Sequence, residues 1–78
     1  MQNEIRNMIE RFKIKAESFL KENIRAFIID TNNTWYSCDI VLVGETYLTI
    51  CNFEGEDIGI NKRIFWSDIV RLEEWKRK

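Results

Sequence analysis

The chain has 78 residues, of which 45% are hydrophobic and 32% charged, with no proline and three glycines. This composition excludes a disordered tail or low-complexity linker and predicts one small domain over residues 1–78. There is no histidine, and the two cysteines, Cys38 and Cys51, lack CxxC spacing, which excludes histidine acid/base chemistry and Cys/His zinc sites. No metal or cofactor is expected.

The net charge of −1 hides a division along the chain. Residues 1–25 hold six basic and four acidic side chains, residues 26–60 six acidic and no basic ones, and residues 61–78 six basic and three acidic ones. A polyanion would therefore meet the two ends, because phosphate contacts need Lys or Arg. Met1-Gln2-Asn3-Glu4 carries no basic-then-apolar leader, and apolar runs such as Ile40-Val41-Leu42-Val43 are short. A membrane segment is not expected, and a reduced cytoplasmic setting is.

The first predicted element is a helix over residues 3–22. Ile5, Met8, Ile9, Phe12, Ala16, Phe19 and Leu20 recur at three- and four-residue spacing and form one apolar stripe. On the other side Arg6, Glu10, Lys13, Glu17 and Lys21 alternate in sign, each link worth about 0.2–0.5 kcal/mol. This reads as a solvated face, with a basic nucleic-acid surface as its rival. Glu22-Asn23 ends the helix, since Asn tolerates a left-handed cap.

Five short antiparallel strands are predicted over residues 24–72. Ile24–Ile29 is β-branched and aromatic, and Asp30-Thr31-Asn32-Asn33-Thr34 is turn chemistry. Trp35–Val43 places Tyr36, Cys38, Ile40 and Leu42 on one face and Trp35, Ser37, Asp39, Val41 and Val43 on the wetter one. Gly44-Glu45-Thr46 leads into Tyr47–Phe53, making a hairpin whose three-residue turn pairs Leu42 with Leu48 and Ile40 with Ile50. Cys38 and Cys51 then point to opposite faces and stay free thiols. Glu54-Gly55-Glu56-Asp57 reads as a solvated loop, because the alternating ligands and distal glutamate of a calcium loop are absent. Ile58–Trp66 reads as a fourth strand kinked at Asn61-Lys62-Arg63. Ser67-Asp68 turns the chain into Ile69–Leu72, and residues 73–78 form a short basic tail. One helix followed by five such strands predicts a mainly β fold, a strongly bent SH3-like small barrel.

This order of elements resembles the Sm-like family, which includes the Sm and LSm proteins and the bacterial RNA chaperone Hfq. Cys38, Ile40, Val43-Gly44 and Tyr47-Leu48 fall at the spacings of the family's first motif, and Phe65-Trp66-Ser67-Asp68-Ile69 is similar in position to its second. The resemblance implies an Sm-like barrel that assembles into a ring, with strand four of one copy pairing with strand five of the next. It places the family's RNA pocket at Thr46, Leu48, Trp66 and Ser67. These four depart from the motif: Thr46 does not stack, Leu48 does not read a base edge, and Trp66-Ser67 carries no cation.

RNA contacts are therefore expected elsewhere, from Arg6, Arg11, Lys13 and Lys15 on the helix or Lys76, Arg77 and Lys78 on the tail, with Trp35 or Trp75 available for stacking. Ile58, Ile60, Phe65, Trp66, Ile69, Val70 and Leu72 are the expected interface between copies, because an open barrel leaves edges that no proline or dense lysine blunts. The expected function is a non-enzymatic, homo-oligomeric module that binds RNA weakly. The alternative is a protein-interaction scaffold that has lost RNA binding, favoured by the acidic central segment and the altered pocket. Ser37, Ser67 and the carboxylates show no base partner or paired-acid spacing, so no enzyme is expected.

Overall fold

The computed structural model describes residues 2–52, 59 and 61–76. Helix α1 (Gln2–Glu22) precedes β1 (Ala26–Asp30), β2 (Trp35–Val43), β3 (Tyr47–Asn52) and β4 (Asn61–Phe65). A one-turn 3-10 helix, η1 (Trp66–Asp68), then leads into β5 (Ile69–Glu74). The strands form one antiparallel sheet in the order β4-β3-β2-β1-β5, with β4 and β5 at its two open ends.

α1 ends where the side-chain chemistry predicts. Asn23 takes φ 56, and the Ile24 amide donates to the Phe19 carbonyl at 2.9 Å. This is the six-to-one bond of a Schellman cap, and Ile24 packs against the core behind it. The stripe is used unevenly: Ala16 and Phe19 are buried and Ile9 and Phe12 partly so, whereas Met8 and Leu20 remain exposed. α1 crosses β2 and also meets β5 and η1.

Strand pairing sorts the sheet into two faces. Ala26, Ile28, Tyr36, Cys38, Ile40, Leu48, Ile50, Ile64 and Leu72 alternate toward the core, joined by Trp66 and Ile69. The second face carries Phe27, Trp35, Ser37, Asp39, Tyr47, Thr49, Arg63, Phe65, Arg71 and Glu73. Ser37 is the exception to its wetness: on the strand that α1 crosses, it is fully enclosed and its Oγ has no hydrogen-bond partner.

The predicted hairpin register holds at Ile40–Ile50 and fails beyond it. A bulge at Val41 shifts the ladder by one residue, so Leu42 faces Thr49 and Val43 faces Leu48. Leu42 is therefore exposed, and Val43 packs on the core in its place. The β4 segment is shorter than expected, and Ile58, Ile60 and the acidic loop at 54–57 lie outside the described residues. β5 runs on to Glu74, and the Trp75 amide donates to the Arg25 carbonyl at 2.8 Å, so the expected tail begins as sheet.

Two turns are held by specific atoms. The Asp30 carboxylate accepts from the Asn32 and Thr34 amides through Oδ1 and from the Tyr36 hydroxyl through Oδ2, each at 2.9 Å, and this closes the β1–β2 turn. At the β2–β3 turn the Gly44 amide donates to the Tyr47 carbonyl at 2.9 Å. A Cβ on Gly44 would lie 2.8 Å from that same oxygen. Trp66 reaches the turn from η1, its indole Nε1 donating to the Gly44 carbonyl at 2.9 Å and its amide to the Thr46 carbonyl at 3.1 Å. Gly44→Ala is expected to lower stability by about 1–3 kcal/mol through overpacking. Trp66→Phe is expected to lower it by about 1–3 kcal/mol through the acceptor it leaves unpaired. Urea denaturation measures both, and a wild-type midpoint for Gly44→Ala contradicts the close approach.

Candidate nucleic-acid interface

Three aromatic rings meet on the second face of the sheet at its β5 end. Trp35 opens β2 directly after the turn in which Asn33 takes φ 63, and it pairs with Ile29 of β1. Phe27 sits two residues back along β1, opposite Glu73 of β5. Trp75 follows β5 and is held there by the hydrogen bond that its backbone amide donates to the Arg25 carbonyl. The Trp35 and Trp75 rings stack with centroids 6.3 Å apart and planes 9° from parallel. Phe27 lies 6.2 Å from Trp35 and 5.5 Å from Trp75, tilted against each. Trp35 keeps 47% of its surface exposed, so one broad π-face is open beside a packed partner.

A groove of about 700 Å³ runs beside this cluster, walled by Phe27 and Trp75 of the sheet and Lys15 and Phe19 of α1. Arg71, Glu73, Glu74 and Lys76 complete its rim. Arg71 Nε lies 3.0 Å from Glu73 Oε2, so these two charges largely offset each other. Lys15 and Lys76 remain as cations facing the groove, with Glu74 as the opposing charge.

The helix separates the four basic residues that were expected to act together. Lys15 lines the groove. Arg11, one turn earlier, lies about 40° from it around the axis, on the same flank. Arg6 and Lys13 lie about 160–180° away, on the far flank. Lys13 Nζ also sits 3.9 Å from Glu10 Oε1. The groove gathers Lys15, Trp75 and Lys76, with Trp35 stacked on Trp75 beside it, and leaves Arg6 and Lys13 on the other side of the helix. Arg77 and Lys78 lie outside the described residues. Phe27 and Arg71 complete the cluster and were not anticipated.

The positions of the family pocket serve the fold. Leu48 is fully buried, and Trp66 is buried and bonded to the hairpin turn. Thr46 and Ser67 are exposed, and Thr46 contributes its carbonyl to Trp66. Trp66, Ile69 and Leu72, expected at an interface, are packed in the core: η1 carries Trp66, and a register shift that leaves Val70 without a β1 partner lets Ile69 and Leu72 both face inward. Phe65 and Val70, 55% and 56% exposed, project from the two edge strands.

A second aromatic cluster lies on the same face at the β4 end. Tyr47 and Phe65 are cross-strand partners with ring centroids 6.5 Å apart at 82°, and the Arg63 guanidinium lies 5.0 Å from the Tyr47 centroid. Lys62, pointing the other way, lies 5.1 Å over the Tyr36 ring. Among the described residues no group of His, Cys, Asp or Glu could hold a metal, and no helix is long and apolar enough to cross a membrane.

Comparison with protein-family models, curated proteins and solved structures gave no match.

Both cysteines are free, Cys38 buried and Cys51 half-buried. Burial pushes the Cys38 thiol from 9.0 up to about 12, with Asp39 and Cys51 adding to the rise and Arg25 opposing it. Burial and the hydrogen bond to Asp30 also raise Tyr36, against the opposing effect of Lys62. A raised folded value means that the native state keeps a proton the unfolded chain releases. The Cys38 contribution is thus intact below pH 9.0 and lost as pH rises toward about 12. Stability is expected to fall across that window, by at most about 1.4 kcal/mol per pH unit for one group. Cys38→Ala is expected to flatten this decline in urea midpoints; an unchanged decline assigns it to other groups. At neutral pH a thiol reagent is expected to label Cys51 first and Cys38 only on unfolding.

Proposed function

We propose that the chain is a non-enzymatic, Sm-like RNA-binding module that assembles with copies of itself in a cytoplasmic setting. The observation that carries the RNA reading is the meeting of Lys15 of α1 with Trp75 and Lys76 after β5 in one groove, with Trp35 of β2 stacked on Trp75 beside it. Stacked aromatics with flanking cations are what an unpaired, flexible strand requires: π-faces for bases and positive charge for the backbone. Few free cations make the binding weak and strongly salt-dependent. The Sm-like reading is supported by the strand order and by the helical turn between β4 and β5 behind an N-terminal helix.

Self-association is supported by the two open edges. β4 carries Lys62 and Arg63, and β5 carries Glu73 and Glu74 alongside Arg71. A β4 edge meeting the β5 edge of another copy brings opposite charges together, with exposed Phe65 and Val70 adding apolar area. Such head-to-tail pairing closes into a ring when the rotation per copy permits. Val70→Pro removes a backbone donor at the β5 edge and is expected to lower the native mass, whereas added salt affects it little, because backbone bonds and apolar area dominate. Unchanged assembly in a folded Val70→Pro variant moves the interface elsewhere.

Titration of single-stranded RNA at several salt concentrations tests the groove. Lys15→Ala with Lys76→Ala is expected to flatten the log–log salt slope by roughly 0.7 for each phosphate no longer neutralised. Trp35→Ala is expected to weaken binding by about 1–3 kcal/mol with the slope unchanged. Absence of binding at low salt overturns the RNA reading in favour of the protein-interaction scaffold.

A further inference from the structure

Ser37 lies on the second face of the sheet between Trp35 and Asp39, both exposed, yet its own side chain is fully buried. Helix α1 supplies the cover. Phe19 lines the groove together with Phe27, the cross-strand partner of Ser37, and also lines a smaller cavity of about 250 Å³ with Asp39, Val41 and Cys51. It therefore spans both sides of Ser37, and Ala16, buried about one turn earlier, lets the helix approach closely. Ser37 Oγ has no hydrogen-bond partner among the described residues, so docking α1 strips water from a hydroxyl and returns nothing to it.

The rest of the docking is apolar. Ala16 and Phe19 are buried and Ile9 and Phe12 partly so, while Ser18 bonds to Glu22 and Lys13 lies beside Glu10 within the helix itself. The strands and η1, by contrast, are joined to one another by their backbone ladders and turn bonds, and none of those ladders passes through α1. Residues 23–25 alone connect the helix to β1.

We propose that α1 is a lid that lifts from the sheet as a unit while the five strands stay folded, with Ser37 taking up water as it opens. The lid builds the groove when it is down, because one wall, Lys15 and Phe19, belongs to α1 and the other, Phe27 and Trp75, to the sheet. Opening dismantles the groove and uncovers the second face around Ser37. The unpaired hydroxyl biases the balance toward opening, and a ligand that bridges the two walls biases it toward closure. The inference rests on the geometry of the groove and is independent of what fills it.

Amide hydrogen exchange of the full chain, followed as urea is raised below the unfolding transition, tests the lid. The α1 amides are expected to exchange together, faster than those of β1, β2 and β3 and with a weaker urea dependence, because lifting exposes less surface than unfolding does. Ser37→Ala removes the hydroxyl and little else. It is expected to slow exchange throughout α1 roughly fivefold to 150-fold. The sheet amides are expected to slow by the same factor, since Ser37 is wet in the unfolded chain as well, which leaves the ratio of α1 to sheet rates unchanged. Unaltered α1 rates in Ser37→Ala, whether or not the sheet slows, mean that the helix exchanges by fraying in place and overturn the lid. A wild-type α1 that matches the sheet in both rate and urea dependence makes the molecule one cooperative unit and overturns it as well.

Discussion

The turn η1 is the constraint on which the rest of the sheet depends, because it is hydrogen-bonded to both hairpin turns at once. Trp66 donates its indole and its amide to the β2–β3 turn at Gly44 and Thr46, while the carbonyl of Asp68 accepts the Thr31 amide of the β1–β2 turn at 2.9 Å. Three residues thereby gather the ends of β2, β3, β4, β5 and the β1–β2 connection. A flat five-stranded sheet would leave these turns far apart. Tying them to one short helix forces the sheet to bend, and the bend wraps Ile28, Leu48, Ile50 and Leu72 around a common core. Gly44 is needed at this point for a steric reason: its carbonyl serves Trp66 while its α-carbon crowds Tyr47.

That same tie decides which residues are left for function. Once Trp66, Ile69 and Leu72 are directed inward, with Tyr36 on the same side, the other aromatics of the sheet, Phe27, Trp35, Tyr47 and Phe65, fall on the second face by alternation. α1 then sets the boundary of the groove. Phe19 is anchored by the Asn23 cap one turn beyond it, and Lys15, four residues earlier on the same flank, is carried to the groove with it. The cap, a matter of one left-handed residue, thus fixes which cation lines the groove beside Trp75.

Much of this was legible from residue chemistry, and what was not has a physical reason in each case. The α1 stop at Asn23 and the turn at Asp30 follow from side chains that favour those backbone conformations, and the Ile40–Ile50 register follows from matched apolar alternation. The Val41 bulge was hidden because Leu42 and Val43 are both apolar, so pattern alone does not say which of them enters the core. Trp66 carries no local mark of its burial: the bond that buries its indole reaches a carbonyl 22 residues away. At the site, Trp35, Trp75, Lys15 and Lys76 stood out by type, and their union depends on β1 pairing with β5 across most of the chain. Phe27 and Arg71 were invisible as site residues because a strand aromatic reads as core and a strand arginine as solvated edge until the register is known.

The unequal charges of the groove bear on how such a site would operate. Arg71 is matched by Glu73 in the same strand, and Glu74 stands near Lys76, so the local field is weak for a polyanion. Taken alone this favours a protein ligand. The rings argue otherwise: two indoles held parallel leave a flat exposed π-surface, whereas a protein interface is served better by a ring that can enter a pocket. A surface with strong stacking and modest charge suits short contacts that release readily, and its strength then comes from repetition across copies. Under the proposed reading, the acidic residues beside the cations would limit what one copy holds, and occupancy would then depend on assembly.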